Sequence, residues 1–184
     1  DTWILMAGIC DRAGRPRAAV RLASAALRLA RRPMDVSVSL QIMTRVATAT
    51  LDTELGARCA PALRASIGRG AGLYDDVRSL LTLADYLYAH GDHAAAQRDL
   101  STARELARQA SFHELVFRAD QLDAGWARSD VNVTHGAESP GDPVPLDREA
   151  DQIARWLESV DDLDQVVTKQ PSRAPTAVLQ AVDA

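Results

Sequence analysis

The sequence predicts an all-α fold in which antiparallel helical hairpins stack into an α-solenoid. Three observations carry that expectation. Residues 3–31 and 80–108 each read as two helices around a turn glycine, Gly14 or Gly91, with matching internal spacing. Apolar residues make up 47% of the chain and aromatics only 4%, so much of the apolar content is alanine, which suits helices that cross closely. No sustained run of Val, Ile, Thr and aromatic residues is present, so no strand is expected.

The first hairpin opens on Trp3, continues through Met6, Ala7 and Cys10, and turns at Gly14. Pro16 pre-sets the start of its second helix, which Ala19, Ala23 and Ala26 line, and Pro33 closes the unit. Pro33 and Asp35 then restart the chain, and Val38, Ile42, Val46 and Ala49 or Thr50 form a helical stripe to about Leu51. Over 52–72, Pro61 is expected to interrupt a helix or begin a new one. A short helix through Ala62, Leu63, Ala65 and Ile67 should end at Gly68, Gly70 and Gly72. Gly14 and Gly91 lie further apart than two units of about 34 residues, so the middle unit is longer or irregular.

In the central hairpin, Asp75 and Asp76 stand at the helix start, where either can cap it and both suit the helix dipole. Val77, Leu80, Leu81, Leu83, Ala84, Leu87 and Tyr88 supply the apolar side. Gly91 permits the positive φ of a helix end, and Asp92 caps the next helix, with Ala96, Leu100, Ala103, Leu106 and Ala107 facing inward. Ser111 and Glu114 make a capping-box pattern before a helix carrying Phe112, Leu115, Val116, Ala119, Leu122 and Trp126. Residues 129–145, proline- and glycine-rich, read as a flexible loop. Residues 146–168 read as an amphipathic capping helix that takes the place of a missing second helix. Ala150, Ile153, Leu157 and Val160 form its stripe, and Asp151 pairs with Arg155. Residues 169–184 are expected to be a disordered tail.

This arrangement resembles the tetratricopeptide repeat family. The resemblance rests on Leu80, the pair Leu83–Ala84, Leu87, the turn Gly91–Asp92, and Ala96 and Ala103 of the central unit, and on the parallel positions of the first. It departs from the family at Leu100, where an aromatic is usual, and at Arg108, where a proline is. It implies about three units over residues 1–128, the middle one divergent. It further implies a concave groove lined by the first helix of each unit. Carried over position by position, the groove residues are Arg78, Leu81, Asp85 and Tyr88 of the central unit, with Ile4, Gly8, Asp11 and Arg12 of the first. A mixed Arg/Asp/Tyr groove suits a polar, extended partner held by charge-assisted bonds.

The net charge is −4, unevenly placed. Residues 1–34 hold seven arginines against Asp1 and Asp11, while 130–184 hold eleven acids against four bases. Arginine accounts for every basic residue except Lys169, as in a GC-rich coding sequence. No apolar stretch is long enough to span a membrane, and the start carries no basic region of a secretory signal. The opening DTWILMAGIC lacks an initiator methionine, which we read as a segment of a longer protein. Cys10 and Cys59 fit core positions in a reducing, cytoplasmic compartment, with a disulfide between them the alternative.

No catalytic constellation and no cofactor motif is found. The glycine-rich GRGAG follows no strand and lacks the lysine of a P-loop. The expected function is therefore a non-catalytic interaction domain, the sensor or scaffold part of a larger bacterial transcriptional or signalling regulator. That setting comes from the resemblance, through the repeats of large regulators and ATPases in high-GC bacteria. Its partner is a protein or peptide segment, or another module of the same full-length chain. A nucleic-acid role for the arginine-rich first hairpin is the alternative. A metal site at His90 and His93 is a third reading, with His113 or Asp92 as a further ligand.

Overall fold

The computed structural model describes residues 2–132 and 147–158. Among these it contains eight α-helices: α1 (Thr2–Arg12), α2 (Pro16–Leu29), α3 (Pro33–Thr50), α4 (Thr53–Ser66), α5 (Leu73–Ala89), α6 (His93–Gln109), α7 (His113–Asn132) and α8 (Asp147–Glu158). The first seven form a helical-repeat solenoid. Each first helix packs on the next, α1 on α3, α3 on α5 and α5 on α7. The second helices α2, α4 and α6 each fill the angle between their partner and the following unit.

Local chemistry explains most of the boundaries. Gly14 and Gly91 take φ of 66° and 85° and end α1 and α5. Pro16 opens α2 and Pro33 opens α3 at positions whose N–H would have no helical partner. Asp52 caps α4 through Leu55 N–H, and Asp92 caps α6 through Ala95 N–H at 3.0 Å. The start of α3 is further held by Arg32, whose guanidinium fork donates to both oxygens of Asp35 at 2.9 and 2.8 Å. That bond holds the Asp35 carboxyl below the usual carboxylate range.

The expected alanine-lined crossings are present. Ala96, Leu100, Ala103 and Ala107 are fully buried against Val77, Leu81 and Ala84, with Leu115, Ala119 and Trp126 of α7 closing the cluster. Ala19, Ala23 and Ala26 do the same against Trp3, Met6 and Cys10. Truncating a fully buried leucine such as Leu100 removes contacts worth about 2–5 kcal/mol. Cys10 and Cys59 are both buried free thiols, so the alternative of a disulfide is not realised.

Several boundaries differ from expectation. Pro61 neither breaks nor begins a helix: α4 runs through it. Pro61 and Ala57 both lie on the exposed side of α4, where water can serve the carbonyl that the missing N–H leaves open. Asp75 and Asp76 do not cap α5. Gly72 occupies the cap position, and the two acids sit inside the first turn, Asp76 accepting a bond from Gly68 N–H. Ser111 adopts φ 59° and ends α6, with Phe112 N–H bonding back to the Ala107 carbonyl, so it is not the cap of α7. Helix α7 continues to Asn132, past the expected start of the loop at 129. The rest of that loop, residues 159–168 of the expected capping helix, and the tail at 169–184 lie outside the described residues.

The capping helix is α8, but it does not stand beside α7 as a replacement second helix. It lies over α1 and α2, at the other end of the stack. Ala150, Ile153 and Leu157 are buried in the first core cluster, and the Trp156 ring lies 6.0 Å from that of Trp3. Arg15 donates to Asp151 at 2.6 Å and Arg21 to the Leu157 carbonyl at 2.9 Å. The Arg15–Asp151 pair is 40–48% exposed, so it contributes well under about 1 kcal/mol, and apolar burial holds the helix.

The second and third units meet closely at Gly56. A Cβ there would collide with the Tyr86 ring, which itself lies tilted against the His90 ring with centroids 4.1 Å apart. Gly56→Ala gains about 1 kcal/mol in helix propensity but forces the ring aside at a cost of about 1–3 kcal/mol. We expect a net loss on chemical denaturation. In a Tyr86→Ala background the same change should become neutral or stabilising.

Candidate functional site

Among the described residues the first helices pack on one another, whereas the second helices pack mainly on the first helices to either side of them. The first helices α1, α3, α5 and α7 therefore form one continuous layer of the stack, whose surface is termed the inner face. On the outer face, α2 and α4 are splayed by a cleft of about 840 Å³ lined by Pro16, Val20, Val46 and Leu55 among others.

The inner face carries an alternating set of charges. Asp11 of α1 accepts a forked pair of bonds from Arg45 of α3, at 2.9 and 2.6 Å. Arg78 of α5 lies 3.5 Å from Asp75 and 6.0 Å over the Tyr74 ring. Arg118 of α7 is half-buried near Arg45 and Arg78, with Asp85 and Tyr74 also close. Burial first, then the charges of Arg45 and Arg78, lowers the affinity of Arg118 for its proton; Asp85 and Tyr74 act the other way. Burial pushes the Asp85 carboxyl above the usual carboxylate range, against the pull of the Trp126 indole N–H and of Arg118. The indole lies close enough to favour the carboxylate without the alignment of a hydrogen bond. Burial also raises Asp75, partly offset by Arg78.

Of the expected groove residues, Asp11, Arg78 and Asp85 belong to this set. Arg12 is exposed at the end of α1, its guanidinium nitrogen positioned 3.6 Å from where a Gly8 Cβ would sit. Leu81 does not line the face. It is fully buried under α6, because a leucine between two packed helices moves into the core. Tyr88 is committed to the α5–α7 seam: its ring stacks on Trp126 at 4.5 Å and its hydroxyl donates to the Trp126 carbonyl. Ile4 is half-buried against the first core cluster.

Two residues of the face were not singled out from the sequence, Arg45 and Arg118. Each interrupts an apolar stripe, Arg45 between Ile42 and Val46 and Arg118 between Leu115 and Leu122, and that interruption was the available signal. A buried polar seam behind the face was also missed. Gln41 Nε2 donates to Ser37 Oγ, Ser79 Oγ and the Asp75 carbonyl at 3.0–3.3 Å, and Ser37 meets Ser79 at 3.1 Å.

His90 and His93 do not converge. His90 Nδ1 bonds to the Tyr86 carbonyl at 2.9 Å, and the His93 ring meets the edge of Tyr88. Among the described residues no three His, Cys, Asp or Glu side chains are grouped to hold a metal. In the first hairpin, Arg15 and Arg21 engage α8 and Arg32 engages Asp35. Among the described residues no helix is long and apolar enough to cross a membrane.

Fold and face together define a helical-repeat solenoid with an arginine–aspartate inner surface. No protein-family model, curated protein or solved structure matches the chain.

The electrostatics of Asp85 can be checked directly. Its folded-state pKa is raised above the unfolded value of about 3.9. Its contribution to stability is therefore fully present below about pH 4 and is lost as the pH rises through its folded-state midpoint. We expect the wild type to lose stability relative to Asp85→Asn over that rise. Carboxyl NMR should place the Asp85 midpoint higher still in Arg118→Gln, since the guanidinium favours the ionised form; an unchanged midpoint would show the two groups to be uncoupled.

Proposed function

We propose that this chain is a non-catalytic interaction domain of the tetratricopeptide type, working in the cytoplasm as the sensor or scaffold part of a larger bacterial transcriptional or signalling regulator. Its inner face takes a protein or peptide segment, another module of the same full-length chain included. The observation that supports this reading is the convergence of Asp11, Arg45, Arg78, Asp85 and Arg118 from four successive first helices on one surface. Guanidinium forks and carboxylates at fixed spacing are recognition groups, suited to directional bonds with a polar chain. The cysteines are poor candidates for nucleophiles: both are buried, and desolvation pushes the Cys10 thiol up to about 11.

The nucleic-acid alternative has less support, because Arg15 and Arg21 of the first hairpin and the adjoining Arg32 are engaged within the fold. The regulator setting follows from the family resemblance alone.

Photo-crosslinking side chains at positions 12 and 78 of the inner face, with positions 98 and 108 of α6 as controls, test the reading in extract of the source cells. We expect both inner positions to label one common partner and the controls to leave it unlabelled. Equal labelling from the two faces would refute a dedicated inner surface.

A further inference from the structure

Among the described residues of the inner face, Arg118 is a cation whose bonding capacity the fold leaves unused. Arg45 gives its fork to Asp11, and on the far side of α7 Arg104 pairs with Asp120 and Asp123 at 2.9 and 2.8 Å. Arg118 has no such partner. Among the described residues no hydrogen bond leaves its guanidinium and no carboxylate lies within ion-pair distance. Yet it is half-buried, and its charged neighbours include the like charges of Arg45 and Arg78.

A guanidinium carries five N–H donors in a planar fork. Holding one partly out of water, beside two other cations and without an acceptor, opposes folding. Position 118 falls between Leu115 and Leu122 on the packed side of α7, where an apolar residue would avoid that cost. Asp85 balances part of the charge through space but gives Arg118 no bond, and the Trp126 indole lies against it. The geometry is that of an acceptor site with its donor in place.

We propose that Arg118, with Arg78 beside it, anchors an oxyanion of the ligand, a carboxylate or phosphate group, on the inner face. This rests on the inner face being the interaction surface. Arg78 is the natural second donor, since among the described residues its one contact to a carboxylate is the long 3.5 Å approach to Asp75. Arg45 supplies charge without moving, because Asp11 holds its fork. Asp85 opposes the incoming anion and so limits the charge the site tolerates.

The test titrates the whole chain with three probes: succinate, inorganic phosphate and an acetylated tetraglutamate peptide. Calorimetry gives affinity, and arginine Nε–H NMR reports which guanidinium responds. We expect saturable binding of at least one probe with the Arg118 resonance shifted. Arg118→Gln should weaken it about tenfold or more and Arg78→Gln by less. Asp85→Asn should tighten it about threefold or more, and Arg98→Gln should leave it unchanged. The opposite signs at positions 118 and 85 separate a lost site from a damaged fold. Strongest binding of the peptide identifies a protein segment as the source of the oxyanion; strongest binding of succinate or phosphate identifies a free small anion. No saturable response at Arg118 with any probe, or equal loss in Arg98→Gln, overturns the site. If inner-face crosslinks persist in that case, the interaction surface itself stands.

Discussion

Helix α3 imposes the constraint on which the remaining geometry depends. It is packed on by α1, α2, α4 and α5, and it buries Asp35, Ser37, Ser39, Gln41 and Thr44 as well as its apolar residues. Buried polar groups need partners, and the nearest supply is the Ser79 hydroxyl and the Asp75 carbonyl of α5. Gln41 can reach both only in one register of α3 against α5. A slip of one helical turn, about 5.4 Å, would leave Gln41, Ser37 and Ser79 without those bonds inside the protein. The register that gives the Gln41 side-chain N–H groups their acceptors is also the one that sets Arg45 of α3 relative to Arg78 of α5. A polar seam that contributes little net stability thus fixes the positions of the charges on the inner face.

That seam matters more because the apolar core is divided. One cluster joins α1, α2, α3 and α8, with Cys59 of α4; another joins α5, α6 and α7. Between them lies a small cluster of Leu40, Ala60, Leu63 and Leu83, with Tyr86 and Ile67 at its edge. Neighbouring units of a repeat array are held by such interfaces, and stability is close to a sum over them. The middle interface buries few large side chains, so the close contact of Tyr86 with the Gly56 backbone adds to its packing while the Gln41 network sets its register. Arg64 and Asp99 add an ion pair between α4 and α6, but Arg64 is 48% exposed and water weakens the pair.

The parts of this fold that were legible in the sequence are those whose signal is local. Gly91 followed by Asp92, Pro16 after Gly14, and alanines at four-residue steps act within one or two turns, and each does in the structure what its chemistry dictates. The parts that were not legible depend on a neighbour. Pro61 sits within α4 because its side faces water, a fact set by how α4 packs. Ser111 reads as a cap from its Ser-x-x-Glu spacing, but the left-handed conformation it takes belongs to the end of α6. Leu81 and Tyr88 lie at groove positions by counting, yet one is drawn beneath α6 and the other is taken up by Trp126. The site of α8 had no sequence signal, since an amphipathic stripe states that a helix must be covered without stating by what. Arg45 and Arg118 were visible only as interruptions of apolar stripes, and their convergence needs the α3–α5–α7 packing to be known.

Cavity size and binding strength point to different faces of this molecule, and the reason is dielectric. The outer cleft between α2 and α4 is large, but its charged rim of Arg17, Asp52, Glu54 and Arg58 is exposed. Water already serves those groups, and a ligand would exchange one set of screened bonds for another. On the inner face Arg78 and Arg118 are only half-exposed, and Asp11 is 14% exposed in its side chain. An interaction between unit charges strengthens in inverse proportion to the effective dielectric, roughly fourfold between bulk water and a protein surface. The same partial burial that makes an unserved guanidinium unfavourable in the free protein therefore makes a bond to it favourable when an acceptor arrives. The inner face holds its charges in a state that folding alone does not optimise, and a bound acceptor would relieve it.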